Sequence, residues 1–97
     1  MRTALVTGGT RGIGKAVVAK LRADGMVVHS WGHEVDVSHK EAVQEAVARI
    51  GAIDVLVNNA GIFGPVGSAL TYDLGAWNEV LAVNLTGQFL VAQAVIP

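Results

Sequence analysis

Apolar runs and helical stripes alternate along this chain, with glycine at most of the junctions. Ala4-Leu5-Val6 is short and uninterrupted, as strands buried on both faces are. Ile13, Val17 and Leu21, with Ala16 beside them, recur at helical spacing and predict a helix from about Gly12 to Asp24. Gly25 supplies a left-handed C-terminal cap. Met26-Val27-Val28-His29 follows as a second strand, completing a βαβ unit whose crossover is expected to be right-handed. Only Ser30 to Glu34 then separates this strand from Val35-Asp36-Val37, whereas a parallel crossover needs about a dozen residues. Either a third strand and its helix are missing, or a stub pairs irregularly at the sheet edge. Ser38-His39-Lys40-Glu41 has the pattern of a capping box opening a second helix, with Val43, Ala46, Val47 and Ile50 as its stripe and Gly51 as its stop. Ile53 to Val57 predicts a further buried strand, broken by Asn58-Asn59-Ala60-Gly61. A Gly- and Pro-bearing loop runs from Ile62 to about Leu70. The last helix is expected from near Asp73, with Trp77, Leu81, Leu85, Phe89 and Ala92 on one face and Asn84 and Gln88 beside it. Gly87 inside that helix costs about 1 kcal/mol against alanine, which points to close packing or a functional approach.

The first junction carries the strongest chemical signal. Gly8, Gly9, Gly12 and Gly14 lie directly after a strand and open a helix. A helix start leaves backbone N–H groups unpaired and favours negative charge, and glycine lets a phosphate approach the backbone. Gly9 through Lys15 also fits the start of a nucleoside-triphosphate loop, G-x-x-x-x-G-K. The next residue there should be a Ser or Thr that ligates magnesium, and here it is Ala16. A dinucleotide loop is therefore the better reading, and an α/β fold with a parallel sheet follows from the order of elements.

Composition narrows the setting. Ninety-seven residues make one domain at most, short for a doubly wound enzyme. Hydrophobic residues reach 52% and charged residues only 15%, so apolar surface is expected to be covered by further chain or another subunit. A net charge of −1 argues against nucleic acid or an anionic membrane as partner. No apolar run is long enough to span a membrane, no leader precedes the first strand, and cytoplasmic location is the default. There is no cysteine. His29, His33 and His39 lack a carboxylate or thiolate set around them, so no metal site is expected.

Four segments together carry a family resemblance. Thr7-Gly8-Gly9-Thr10-Arg11-Gly12-Ile13-Gly14 resembles the T-G-x-x-x-G-x-G cofactor loop of the short-chain dehydrogenases/reductases. Asp36-Val37-Ser38 resembles their adenine-contacting segment. Asn58-Asn59-Ala60-Gly61 resembles their N-N-A-G, and Val83-Asn84-Leu85-Thr86-Gly87 their segment with the catalytic asparagine. The resemblance covers the whole chain and implies one incomplete dinucleotide-binding domain over residues 1–97. Its fold would be a Rossmann-like doubly wound parallel sheet, truncated to about three to four strands. It implies an NAD(P)-dependent oxidoreductase acting on a small carbonyl or secondary alcohol, with this chain supplying the cofactor-binding part. The implied cofactor residues are Gly8, Thr10, Arg11, Gly12, Ile13, Gly14, Asp36, Val37, Asn58, Ala60 and Gly61. The diphosphate would rest on Gly12-Ile13-Gly14, the adenine near Asp36 and Val37, and the nicotinamide ribose near Asn58 to Gly61.

The choice of cofactor is a question of charge. The position aligned with the NAD-selecting acid at the end of the second strand is Gly32, and Arg11 is placed to pair with a 2′-phosphate. NADP is therefore preferred over NAD, although Glu34, two residues on, could reverse this. Similar enzymes also use a Ser and a Tyr-x-x-x-Lys pair, the tyrosine protonating the carbonyl oxygen. Tyr72 is the single tyrosine here and Ala76 lies four residues on, so Asn84 is the one catalytic residue these 97 residues contain. A catalytically silent nucleotide-binding or interaction module is the alternative. The strand Ile53 to Val57 and the last helix would both be left partly uncovered, and a homo-oligomer is expected.

Overall fold

A computed structural model describes residues 1–97. Strand β1 (Thr3–Thr7) is the centre of a three-stranded parallel sheet of order β2-β1-β3, with β2 at Val27–Trp31 and β3 at Val55–Val57. Leu5 is in register with His29 on one side and Leu56 on the other. Helix α1 (Gly12–Ala23) connects β1 to β2 and packs on both. Helix α2 (Lys40–Ile50) packs against α4 (Gly87–Val95), which continues α3 (Leu74–Leu81) through a π-helical turn at Ala82–Thr86. Leu5, Trp31, Val37, Val43, Ala46 and Val91 form the main core. Ala4 and Val6 alternate with Leu5 and turn to the face that α1 covers, so helices flank both sides of the sheet.

The helix stops follow the sequence reading. Gly25 and Gly51 both adopt positive φ, at 89° and 86°. Asp73 caps the last helix, its carboxylate accepting the Ala76 N–H at 2.8 Å.

Of the two readings left open for Val35-Asp36-Val37, the missing third strand holds: the segment pairs with no strand, and the sheet has three strands, within the three to four expected. Val37 is instead drawn into the core under α4. There, a Cβ built on Gly87 would lie 2.7 Å from Val37 Cγ2, which accounts for glycine inside the helix. Three expectations need correction. The Ser38 capping box does not form. Asp36 takes both the Ser38 hydroxyl (2.6 Å) and the Ser38 N–H (3.0 Å), and α2 begins one residue later from His39. Strand β3 covers Val55–Val57 rather than Ile53–Val57; just ahead of it Asp54 donates its N–H to the Thr3 carbonyl and its carboxylate accepts the Thr3 N–H, both at 2.8 Å.

The third correction concerns the buried faces. In α1 the buried residues are Gly14 and Val18, while Ile13 is 78% exposed. In the last helix the large residues Trp77, Leu81, Leu85 and Phe89 face outward, and Gly87 and Val91 face in. The neighbouring α2 and Val37 come so close that small residues are needed on the inner face. No helix is long and apolar enough to cross a membrane.

Candidate functional site

The loops that leave the C-terminal ends of the three strands meet in one cleft of about 790 Å³, within the size range of small-molecule sites. Thr7 ends β1 fully buried, and its Oγ1 accepts N–H groups from Asn59 and Ala60, each at 2.9 Å. Asn59 Nδ2 donates to the Gly8 carbonyl at 3.2 Å. These bonds fasten the glycine loop to the loop after β3. Gly8 and Gly12 turn the chain with φ of 66° and 55°. Gly14 lies beneath, where a Cβ would run into the Gly8 carbonyl and lie 2.6 Å from Asn59 Nδ2. Gly8, Thr10, Arg11, Gly12 and Ile13 line the cleft; Gly14 does not, but lets the loop close.

The start of α1 is open to an anion. Its N-cap, Arg11, makes no side-chain cap, and no acid stands in the first turn. The first amides therefore keep their hydrogen-bonding capacity, and the helix dipole adds partial positive charge. A loop that admits no Cβ at Gly14 and an uncapped helix start together fit a phosphate or diphosphate.

The second wall is built by Gly32, His33, Val35, Asp36 and Val37. The Arg11 guanidinium lies 3.3 Å from His33 Nε2; having no acceptor, it donates. Asp36 is held below the usual carboxylate range by the Ser38 hydroxyl first and then by the Ser38 N–H. Glu34 is likewise lowered, chiefly by the Gly32 N–H. Both acids are more basic in the unfolded chain. Their contribution to stability is complete above the ordinary carboxylate range and is lost as pH falls through the lower folded values. The melting temperature is expected to drop on acidification below about pH 5. It should drop less steeply in Asp36→Asn; equal slopes in thermal melts across pH would contradict this.

The far end of the cleft is built by Ala60, Gly61, Ile62 and Asn84. Asn84 clamps the Ile62 backbone on both sides: Oδ1 accepts its N–H at 2.8 Å and Nδ2 donates to its carbonyl at 2.9 Å. Asn84 sits in the π-helical turn, a distortion found often at functional sites. Gln88 Nε2 donates to the Ala60 carbonyl, while Asn58 Nδ2 donates to the Gln88 carbonyl at 2.8 Å. Asn58 thus braces the helix and does not line the cleft, whereas Asn59 does. Gly32 and His33 line it as well, from the turn after β2; Val35, Ile62, Phe63, Glu79 and Val83 also line it and were not expected from the sequence. Their positions depend on how the loops pack, and nothing in their spacing marks them.

A family model described as short chain dehydrogenase matches residues 29–97. The chain belongs to the short-chain dehydrogenase family. Among curated relatives, an acetoacetyl-CoA reductase of Shinella zoogloeoides is 38% identical, with 97% of this chain and 48% of the relative covered. The 3-oxoacyl-[acyl-carrier-protein] reductase FabG of Aquifex aeolicus is 36% identical, with 95% and 48% covered. Among solved structures, the ligand-free aldohexose dehydrogenase of Thermoplasma acidophilum superposes with a TM-score of 0.91 at 30% identity, covering 99% of this chain and 43% of that one. A 3-ketoacyl-ACP reductase from Sinorhizobium meliloti gives 0.90 at 31% identity, covering 98% and 48%. This short-chain dehydrogenase chain spans about half the length of the curated relatives it matches. Its alignment to the Shinella reductase runs over 121 residues, more than the 97 of this chain, so the relative carries internal residues that are missing here. The terse passage from β2 to Asp36, where no third strand forms, is the place in the fold that suits such a gap. These relatives establish a Rossmann-type oxidoreductase fold for the chain.

Proposed function

We propose that residues 1–97 form the NAD(P)-binding part of an oxidoreductase that interconverts a small carbonyl compound and its secondary alcohol. The carrying observation is the uncapped start of α1, opening on a cleft beyond the C-terminal ends of a parallel sheet. In this reading the diphosphate rests on the amides of Gly12 and Ile13, flanked by Gly8, Thr10 and Arg11, with Gly14 shaping the loop. Asp36 and Val37 border the adenine, and Ala60 and Gly61 border the nicotinamide ribose, with Asn58 bracing from behind. A bound nicotinamide nucleotide supplies the hydride acceptor or donor. Asn84 fixes the Ile62 backbone at the reacting end of the cleft and is the catalytic residue of this portion. The bare Gly32 and the cation of Arg11 are the features that favour NADP over NAD. The cytoplasm is the compartment that suits such an enzyme.

Titration calorimetry of this chain with NAD and NADP tests the reading. Binding of at least one nucleotide is expected; absence of heat with both would sink it. A silent nucleotide-binding module is the second reading, favoured because Tyr72 stacks edge-on against Trp77, 6.4 Å between ring centres, with no lysine four residues on. A natural chain that continues past residue 97 with a Tyr-x-x-x-Lys pair would overturn that alternative.

We also propose that the chain is a homo-oligomer. Leu85 and Phe89 are 66% and 61% exposed on the outer face of the last helix, and β2 and β3 are both sheet edges. Sedimentation at roughly tens of micromolar should show a species larger than a monomer. Leu85→Lys with Phe89→Lys should reduce it to a monomer, and a monomeric parent chain would refute the proposal.

A further inference from the structure

We propose that Gly64, Gly67, Ala69, Tyr72, Trp77 and Val80 form a subsite for the non-reacting end of the substrate, and that this end is an uncharged apolar group such as a phenyl ring. The inference rests on the oxidoreductase reading and names the class of carbonyl compound: an aryl or short-alkyl ketone rather than a sugar or a charged acid.

These residues line a second cavity of about 370 Å³, at the small end of ligand sites. It adjoins the reacting end of the cleft along two elements. In the loop, Ile62 and Phe63 line the cleft and the next residue, Gly64, lines the second cavity. In the helix, Glu79 and Val83 line the cleft, while Val80 lines the second cavity. Asn84 fixes this boundary, since it holds the Ile62 N–H and carbonyl at 2.8 and 2.9 Å. Gly64 then passes so close to α3 that a Cβ there would run into Tyr72 Oη and stand 2.8 Å from Val80 Cγ2. A carbonyl group bound at the Asn84 end of the cleft would have one substituent beside this cavity.

The walls select the occupant. No charged residue stands between Val55 and Tyr72, and the Tyr72 hydroxyl and Trp77 indole N–H are the polar side-chain groups of the lining. Tyr72 and Trp77 meet edge to face, with 6.4 Å between ring centres and 83° between planes. Trp77 is 56% exposed, so its ring keeps apolar surface for a ligand. An aromatic group placed there would extend this edge-to-face pair, a gain beyond the area it buries. Sugar hydroxyls or a carboxylate buried against the same walls would lack partners, which costs far more than a missing apolar contact. Small residues at 64, 67 and 69 keep the space open, and nothing lies within 4 Å of a Cβ built on Gly67.

The test is binding of benzylacetone, and of glucose for comparison, to the chain with and without NAD or NADP, read by calorimetry and by the indole N–H signals in NMR. Benzylacetone should bind with a Kd of roughly millimolar and shift the Trp77 signal while the core residue Trp31 stays unmoved; glucose should do neither. Gly67→Leu sends a side chain into the open space without backbone strain, because Gly67 is not one of the glycines with positive φ. It should weaken benzylacetone about tenfold or more and leave nucleotide binding unchanged. Trp77→Ala, which removes the exposed aromatic wall, should weaken it similarly, and circular dichroism checks that both variants fold. An unmoved Trp77 signal, equal binding of glucose, or benzylacetone affinity unchanged in both variants overturns the inference, while nucleotide binding keeps the oxidoreductase reading in place. Absence of heat with both nucleotides overturns that reading, and with it the role of the cavity as a substrate subsite.

Discussion

Gly14→Ala is expected to abolish nucleotide binding and to destabilise the fold by about 2–3 kcal/mol. The added methyl group meets two atoms that have nowhere to go. One is the Gly8 carbonyl oxygen, backbone of the loop itself; the other is Asn59 Nδ2, 2.6 Å from the new carbon. Nδ2 is bonded to that same carbonyl, and the Asn59 N–H is bonded to Thr7, so neither can retreat without undoing the closure of the loop. Gly12→Ala is the natural control. Nothing lies within 4 Å of a Cβ there, and the cost is the strain of a φ of 55°, about 1 kcal/mol. Urea denaturation of the two variants measures the difference. If Gly12→Ala proves the more damaging, the account of the loop is wrong.

Thr7→Val is expected to cost about 2–4 kcal/mol and to weaken nucleotide binding as well. Valine keeps the shape and removes the one oxygen that accepts from both Asn59 and Ala60. The position is fully buried, and its hydroxyl is the link between the ends of β1 and β3. Two half-buried N–H groups would lose their partner together. Thr7→Ser retains the oxygen and gives up one buried methyl group, a loss of about 1 kcal/mol. Chemical denaturation of the pair separates hydrogen bonding from packing. Equal losses in valine and serine variants would show that the methyl, and not the oxygen, matters.

Local rules carried the reading where local physics decides. A glycine with positive φ ends α1 and another ends α2, and an aspartate caps the last helix, because these choices depend on a few neighbouring residues. They failed where a second partner competes for one group. Ser38 has the spacing of a capping residue, yet Asp36 is nearer to its hydroxyl and wins it. The Asn58 amide donates to the Gln88 carbonyl, thirty residues on, a partner that its local motif does not reveal. Size misled on the last helix. Its largest apolar residues mark the obvious stripe, but the close approach of Val37 reserves the inner face for Gly87.

By itself the sequence determined the α/β class, the parallel strand–turn–helix start, the positions of the glycine loop and Asn84, and the absence of room for a third crossover. Periodicity, glycine placement and connection length are properties of neighbouring residues, and they persist whatever the rest of the chain does. Only the tertiary structure decided which way the last helix turns its large side chains and how Thr7 and Asn59 lock two loops together. Those outcomes depend on distances between groups far apart in the chain, where packing density and competition for hydrogen bonds choose one arrangement among several that the local pattern allows.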